Sequence, residues 1–376
     1  MTRSMIQQQW LWSLGDDVLE FMESLKMGHG RFRPCRTGAS AAGLQASLGF
    51  SCLAYKIYYS LGLLRHVDTR ELTTWGEHIQ SFQCPEGLPP QGTLPDAFID
   101  PPLLEAIHEP HVSPMRHLFS LLRPGERPIP PKDSAILAET KQAMATLTQM
   151  GSRPLRPFMH FPRTPREMRR RLMHFNWSEP WAAGGKTAAL AVFLQAQEAT
   201  PTPSLQKHLL QVMTDFLDRL ADSHTGTYFR GPSPPARGQM INGAMKVLNA
   251  LEWLQYPIHY PEKLIDTTLR QDPPAAGCHV VDWVYVLHQC SQQTHHRRHE
   301  IQDRMVAVID LIQSHHNDDR GFSYQPHRAQ TGYYGATISL GRDEGDIHGT
   351  CLLTWALTMI AELLEIDIPG WRVQRP

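Results

Sequence analysis

The chain has no surplus of either charge: 36 Lys and Arg stand against 37 Asp and Glu, a net charge of −1 with His neutral. A protein held on nucleic acid through phosphate contacts needs a basic excess, so that class is set aside, as is an acidic disordered tail. No apolar run approaches the roughly 18 residues that span a bilayer, and the opening MTRSMIQQQWLW lacks the apolar stretch of a signal peptide. The most apolar segment, 44–64, is broken by Gln45, Ser47, Ser51, Lys56 and Ser60, which suits a buried helix. Cysteine is sparse: Cys35, Cys52, Cys84, Cys278, Cys290 and Cys351 are scattered without a CxxC pair, unlike a disulfide scaffold. A soluble cytoplasmic protein with reduced thiols is expected. The patterns GxxxxGK[ST], GxGxxG, GxSxG and HExxH are all missing, which removes the usual signatures of P-loop, Rossmann, α/β-hydrolase and zincin chemistry. Alternating β-branched runs are missing too.

Helical periodicity punctuated by breakers is what the chain holds instead. It carries 30 Pro and 20 His, the first implying many short connections and the second many groups able to titrate, donate protons or bind metal near neutral pH. Apolar residues recur at helical spacing in Val212, Phe216, Leu217 and Leu220, in Met305, Val308, Ile309 and Ile312, and in Leu352, Leu353, Ala356, Leu357, Ile360, Leu363 and Leu364. Pro and Gly clusters separate such stretches. The pattern predicts about a dozen helices in six hairpins: 10–27 with 41–64, 69–83 with 101–121, 133–150 with 181–198, 203–222 with 239–255, 261–271 with 279–293, and 297–316 with 347–366. The Pro-rich stretches 85–131 and 152–165 read as loop insertions in one domain spanning 1–376. The hairpins look like divergent repeats. Gly-aromatic turns close first helices in HGRF (29–32), TGTYF (225–229) and DRGFSY (319–324). Second helices open on small or polar residues and then turn apolar, as in AAGGKTAALAVFL (182–194).

Six successive hairpins can close into a double ring. The expected fold is therefore all-α, an (α/α)6 toroid with second helices inside, apolar nearly all round, and amphipathic first helices outside. Two segments add a resemblance. GDIHGTCLLTWALTMI (345–360) looks like the stretch of protein prenyltransferase β subunits in which a zinc-binding His precedes Thr-Cys, and GCHVVDWVYVLHQC (277–290) looks like the stretch carrying that family's zinc-binding Asp and Cys. The chain thus resembles the α/α-toroid superfamily of terpenoid cyclases and protein prenyltransferases. The resemblance implies Asp282 and His348 as zinc ligands. Val284 stands where the family has Cys, Gly349 intervenes between His348 and Thr350, and the DxDD motif of class II terpene cyclases has no counterpart.

In such a toroid the loops entering the inner helices ring one mouth of a central cavity, and helix N-termini point partial positive charge there. Cys278 and Asp282 are four apart and share a helical face; with His348 they offer S, O and N donors of the kinds zinc accepts. Asp346, just ahead of His348, reads either as an N-cap or as a general acid or base. Asp282, Asp346 and His348 are the catalytic candidates. Gln239, Asn242 and Lys246 form a polar stripe along one helical face and read as cavity lining. Lys186, after two glycines, could hold a phosphate or carboxylate. Trp181, Tyr333 and Tyr334 are candidate substrate contacts, the tyrosines because the loop 325–345 is longer than hairpin closure needs. The basic runs 165–171 and 295–299 read as solvated faces. The leading functional expectation is an enzyme acting on an isoprenoid or related apolar small molecule in the cavity. A carbohydrate-active (α/α)6 enzyme using Asp282 and Asp346 as paired carboxylates is the alternative. A non-catalytic toroid binding a peptide or protein is the third.

Overall fold

The computed structural model describes residues 3–28, 30–83, 94–108, 130–197 and 202–376. It is all-α apart from two minimal hairpins. Six long helices make up the interior: α3 (Leu48–Ser60), α6 (Pro131–Gln149), α8 (Pro180–Gln195), α10 (Arg237–Leu254), α12 (Gly277–Ser291) and α14 (Ile347–Leu363). Each packs on the next in that order, and α14 packs back on α3, so the succession of contacts closes. The most extensive of these contacts, α8 on α10, depends on two glycines. A Cβ on Gly184 would lie 2.9 Å from the Lys246 Cβ, and one on Gly243 would lie 2.5 Å from the Pro180 Cβ.

Alternating with these in sequence are α1 (Arg3–Leu25), α4 (Thr69–Gln80), α7 (Pro165–His174), α9 (Pro203–Leu220), α11 (Pro261–Thr268) and α13 (Arg298–Gln313). Of these, α4, α9, α11 and α13 each contact two neighbouring interior helices, and α7 packs on α9. Thus α9 buries Leu209, Val212, Met213, Phe216, Leu217 and Leu220 and leaves its opposite face polar. The interior helices are buried nearly all round, as a helix with neighbours on most sides requires; α14 buries thirteen of its seventeen residues. Gln7 of α1 donates to the Val306 carbonyl of α13 at 3.2 Å, which joins the first and last of the flanking helices. No described helix is long and apolar enough to cross a membrane.

The helix pairing differs from the expected hairpins in its second and third members. Helix 131–149 is an interior helix, and α4 flanks it. The helix preceding α8 is α7, which covers the run read as a basic solvated face and packs on α9. Its N-cap Thr164 accepts from the Glu167 amide, Pro165 takes the first turn, and Met168 and Leu172 bury one apolar edge. A two-residue apolar edge is too narrow to stand out among Arg166, Arg169, Arg170 and Arg171. Of the expected helix 101–121, α5 (Pro101–Ala106) is present, and 109–121 lies outside the described residues. Residues 152–164 are loop. The run at 295–299 is not merely solvated, because Arg297 bridges Asp266 and Glu300 and His296 meets Asp266 at 2.8 Å.

The last residues run beneath the C-terminal ends of α3 and α10. The Arg372 amide donates to the Ser60 carbonyl at 2.8 Å, Trp253 Nε1 donates to the Pro376 carbonyl at 2.8 Å, and the Arg375 guanidinium stacks 3.8 Å from the Trp253 ring centre.

Candidate functional site

At the other end, α12 and α14 begin side by side, joined by Tyr324. Its carbonyl accepts from the Gly277 amide at 2.8 Å, and its own amide donates to Asp346 Oδ2 at 2.7 Å. Asp346 also accepts from Gln330 N at 3.0 Å and, through Oδ1, from Gly349 N at 2.7 Å. It therefore caps α14 and anchors the long loop at once. Burial pushes its carboxyl up to about 6 against the pull of those amides.

Near the starts of these helices Asp282, Cys278 and His348 each lie within electrostatic reach of Lys246 of α10. Asp282 is buried, and burial raises its carboxyl to about 6 while the Lys246 charge draws it down. His348 is held near 4 by burial and by the same ammonium, so the imidazole is neutral at pH 7. Its Nδ1 donates to Gln330 Oε1, which leaves the Nε2 lone pair free to accept a proton. Tyr324 OH donates to Cys278 Sγ at 2.7 Å, and burial raises that thiol. The Tyr324 and His348 ring centres are 5.7 Å apart.

The loop 325–345 carries the strands β3 (Gly332–Tyr333) and β4 (Ala336–Thr337), paired antiparallel. Its tip, Tyr334-Gly335, has positive φ at both positions, 47° and 92°, as a two-residue primed turn requires. Glu344 pins the loop by accepting from Thr37 N at 2.7 Å and Gly38 N at 2.6 Å. The hairpin presents Tyr333 edge-on to His348, 6.1 Å between ring centres, with Tyr334 against it at 4.4 Å. Tyr333 OH reaches Glu139 Oε1 of α6 at 2.7 Å.

Other expected residues lie beside this cluster. Asn242 Nδ2 meets His279 Nδ1 at 2.8 Å. Both line, with Gln239, Gln271, Pro274 and Trp283, a pocket of about 220 Å³ between α10 and α12. Lys186 Nζ stands 5.6 Å over the Phe175 ring, and Trp181, in the first turn of α8, is exposed. As for zinc, no group of three His, Cys, Asp or Glu side chains among the described residues is arranged to hold a metal ion.

Sequence reasoning passed over Glu139, Lys56, Lys141 and Glu252. Each is a charge on a helix buried on almost every side. Lys56 is 8% exposed, and Lys141 and Lys246 are half-buried. A lone charge in an otherwise unbroken apolar helix such as LGFSCLAYKIYYS was the available signal.

No protein-family model matches the chain, and no curated protein matches it significantly.

Proposed function

We propose that the six mutually packed helices are the inner ring of an (α/α)6 toroid, and that the chain is an enzyme resembling terpenoid cyclases and prenyltransferases. Its substrate is an isoprenoid or related apolar small molecule held in the central hollow. What supports this reading is the electrostatic coupling of Asp282 and His348 to Lys246, the three residues lying on helices that pack in succession. A carboxyl near 6 beside a neutral imidazole gives a proton donor and a proton acceptor in one buried site. Tyr324, Tyr333 and Tyr334 offer ring faces to positive charge developing on the substrate.

A carbohydrate substrate is the second reading. Gln239, Asn242 and the exposed Trp181 supply the polar and stacking surface it needs. Asp346, with three backbone amides on its oxygens, is poorly suited to be its second carboxylate.

The test is turnover of a panel of linear isoprenoids beside a panel of oligosaccharides. Asp282→Asn and His348→Ala are expected to abolish turnover while leaving the melting temperature within a few degrees of wild type. Full turnover by both variants overturns the assignment, and turnover of the sugars alone transfers it to the second reading.

A further inference from the structure

The pocket between α10 and α12 offers about 220 Å³, less than the roughly 300–1,000 Å³ of drug-sized sites, so it suits a small ligand. His279 and Trp283, four apart, share its side of α12, while Cys278 and Asp282 share the neighbouring one. The pocket walls are fixed. Trp283 Nε1 donates to the Thr268 carbonyl at 3.1 Å and to the Gln271 carbonyl at 3.0 Å, so the indole is held in place and offers the pocket only carbon. Ile241 and the stiff pair Pro273-Pro274 extend this apolar wall. No Asp, Glu, Lys or Arg is among the described residues that line it.

The most constrained polar feature is one pair. Asn242 Nδ2 meets His279 Nδ1 at 2.8 Å. An amide nitrogen only donates, so Nδ1 accepts and the ring proton sits on Nε2. His279 Nε2–H is thereby a donor rather than a base, and Asn242 Oδ1 is an acceptor. Among the described residues neither atom has another partner. Asn242 is 6% exposed, yet its Oδ1 is not among the atoms sealed from solvent. A largely buried amide oxygen calls for a donor, and leaving it unmet is costly. A ligand that displaces water from this pair must reproduce both bonds. A carboxylate cannot: it has no donor, and it would bring a charge to a lining that holds no fixed cation. An amide has its N–H and C=O fixed side by side on one planar edge, which matches two protein atoms that fix each other.

We propose that this pocket binds a small neutral molecule through a carboxamide or lactam edge. The ligand N–H donates to Asn242 Oδ1, its carbonyl oxygen accepts from His279 Nε2, and a flat apolar body lies against Ile241, Trp283 and the prolines. Binding here requires neither a closed toroid nor the chemistry at Asp282.

The full-length protein is titrated separately with benzamide, acetophenone, benzoate and glucose, and binding is read by saturation-transfer NMR and calorimetry. Benzamide is expected to bind. Acetophenone keeps the carbonyl and the flat ring but has no N–H, and is expected to bind about tenfold more weakly, equivalent to about 1.4 kcal/mol. Benzoate is expected not to bind. His279→Phe and Asn242→Leu, made separately, are each expected to weaken benzamide binding about tenfold or more. Gly238→Leu tests the pocket without altering the pair. A Cβ on Gly238 would meet nothing nearer than Gln271 Nε2 at 3.8 Å, so the backbone accepts a side chain there. This variant is expected to melt within a few degrees of wild type and to lose benzamide binding. No response to benzamide, equal affinity for acetophenone, or unchanged benzamide binding in His279→Phe and Gly238→Leu overturns the proposal. Glucose binding in place of benzamide also overturns it and transfers the pocket to the carbohydrate reading. Asp282→Asn is expected to keep benzamide binding; its loss there would put the ligand beside Lys246 and overturn the assignment to this pocket.

Discussion

The Tyr333 hydroxyl donates to Glu139 Oε1 across 2.7 Å, joining the tip of the long loop to the wall of an interior helix. The contact is so close that a Cβ on Gly49 would sit 2.3 Å from that hydroxyl. Glu139 is almost fully buried, its Oε2 has no partner, and burial raises its carboxyl to about 8.

A folded-state value above the unfolded one means that the native protein holds this proton longer than the unfolded chain does. Glu139 therefore costs no stability below about pH 4.5, and a growing amount as pH rises from there towards about 8. Glu139→Gln keeps an acceptor for Tyr333 and removes the titration. It is expected to raise the melting temperature at pH 9 by about 2 °C or more and to change it little at pH 4. Melts across pH check this, and an equal shift at both ends would show that Glu139 does not titrate as described.

Asp346 is expected to behave as a structural anchor. Asp346→Ala strands the amides of Gly349, Tyr324 and Gln330 and should cost about 3 kcal/mol or more, at 1–3 kcal/mol for each buried unsatisfied group. Urea denaturation measures it. Lost turnover with unchanged stability would instead mark Asp346 as part of the chemistry.

Gly349 stands between His348 and Thr350 in the first turn of α14. A Cβ there would lie 2.5 Å from Tyr324 N and 2.6 Å from the Ser323 carbonyl carbon. Both are backbone atoms with no rotamer to yield. Gly349→Ala is expected to destabilise the fold by roughly 2 kcal/mol or more, in the range of overpacked cores, as read by the same denaturation assay. An unchanged midpoint would mean that the loop 322–324 is free to move aside.

The pH profile of the proposed reaction follows from two directions of shift. A donor must be protonated, so activity through Asp282 falls above about pH 6. An acceptor must be unprotonated, so activity through His348 falls below about pH 4. The expected kcat/KM profile is a bell between these limits. Asp282→Asn, if any turnover survives, should lack the alkaline limb. A profile flat from pH 4 to 8 would exclude the pair as donor and acceptor.

The helices most readable in the sequence were those whose burial is periodic. Phe216 and Leu217 of α9, or Val308 and Ile309 of α13, declare one apolar face without reference to any partner. Helix α7 was hidden because two buried residues sufficed to seat it, and arginine filled the rest. The site was legible in part for the same reason. Asp282 and His348 stood out as polar residues near the starts of apolar helices, and Lys246 as part of the polar stripe it forms with Gln239 and Asn242. Lys56 and Lys141 did not, because a lysine in the middle of a helix is ordinarily a solvated one. The pairing of Asn242 with His279, and of Tyr324 with Cys278, depends on how neighbouring helices align end to end, which spacing within a single segment does not encode.

The strand of chain from Arg372 to Pro376 acts as a stopper under α3 and α10, its final carbonyl held by Trp253. In the proposed toroid this segment would close one end, so reactant and product would exchange at the end where Tyr334 stands, and departure of product there would weigh on turnover as much as the proton transfers.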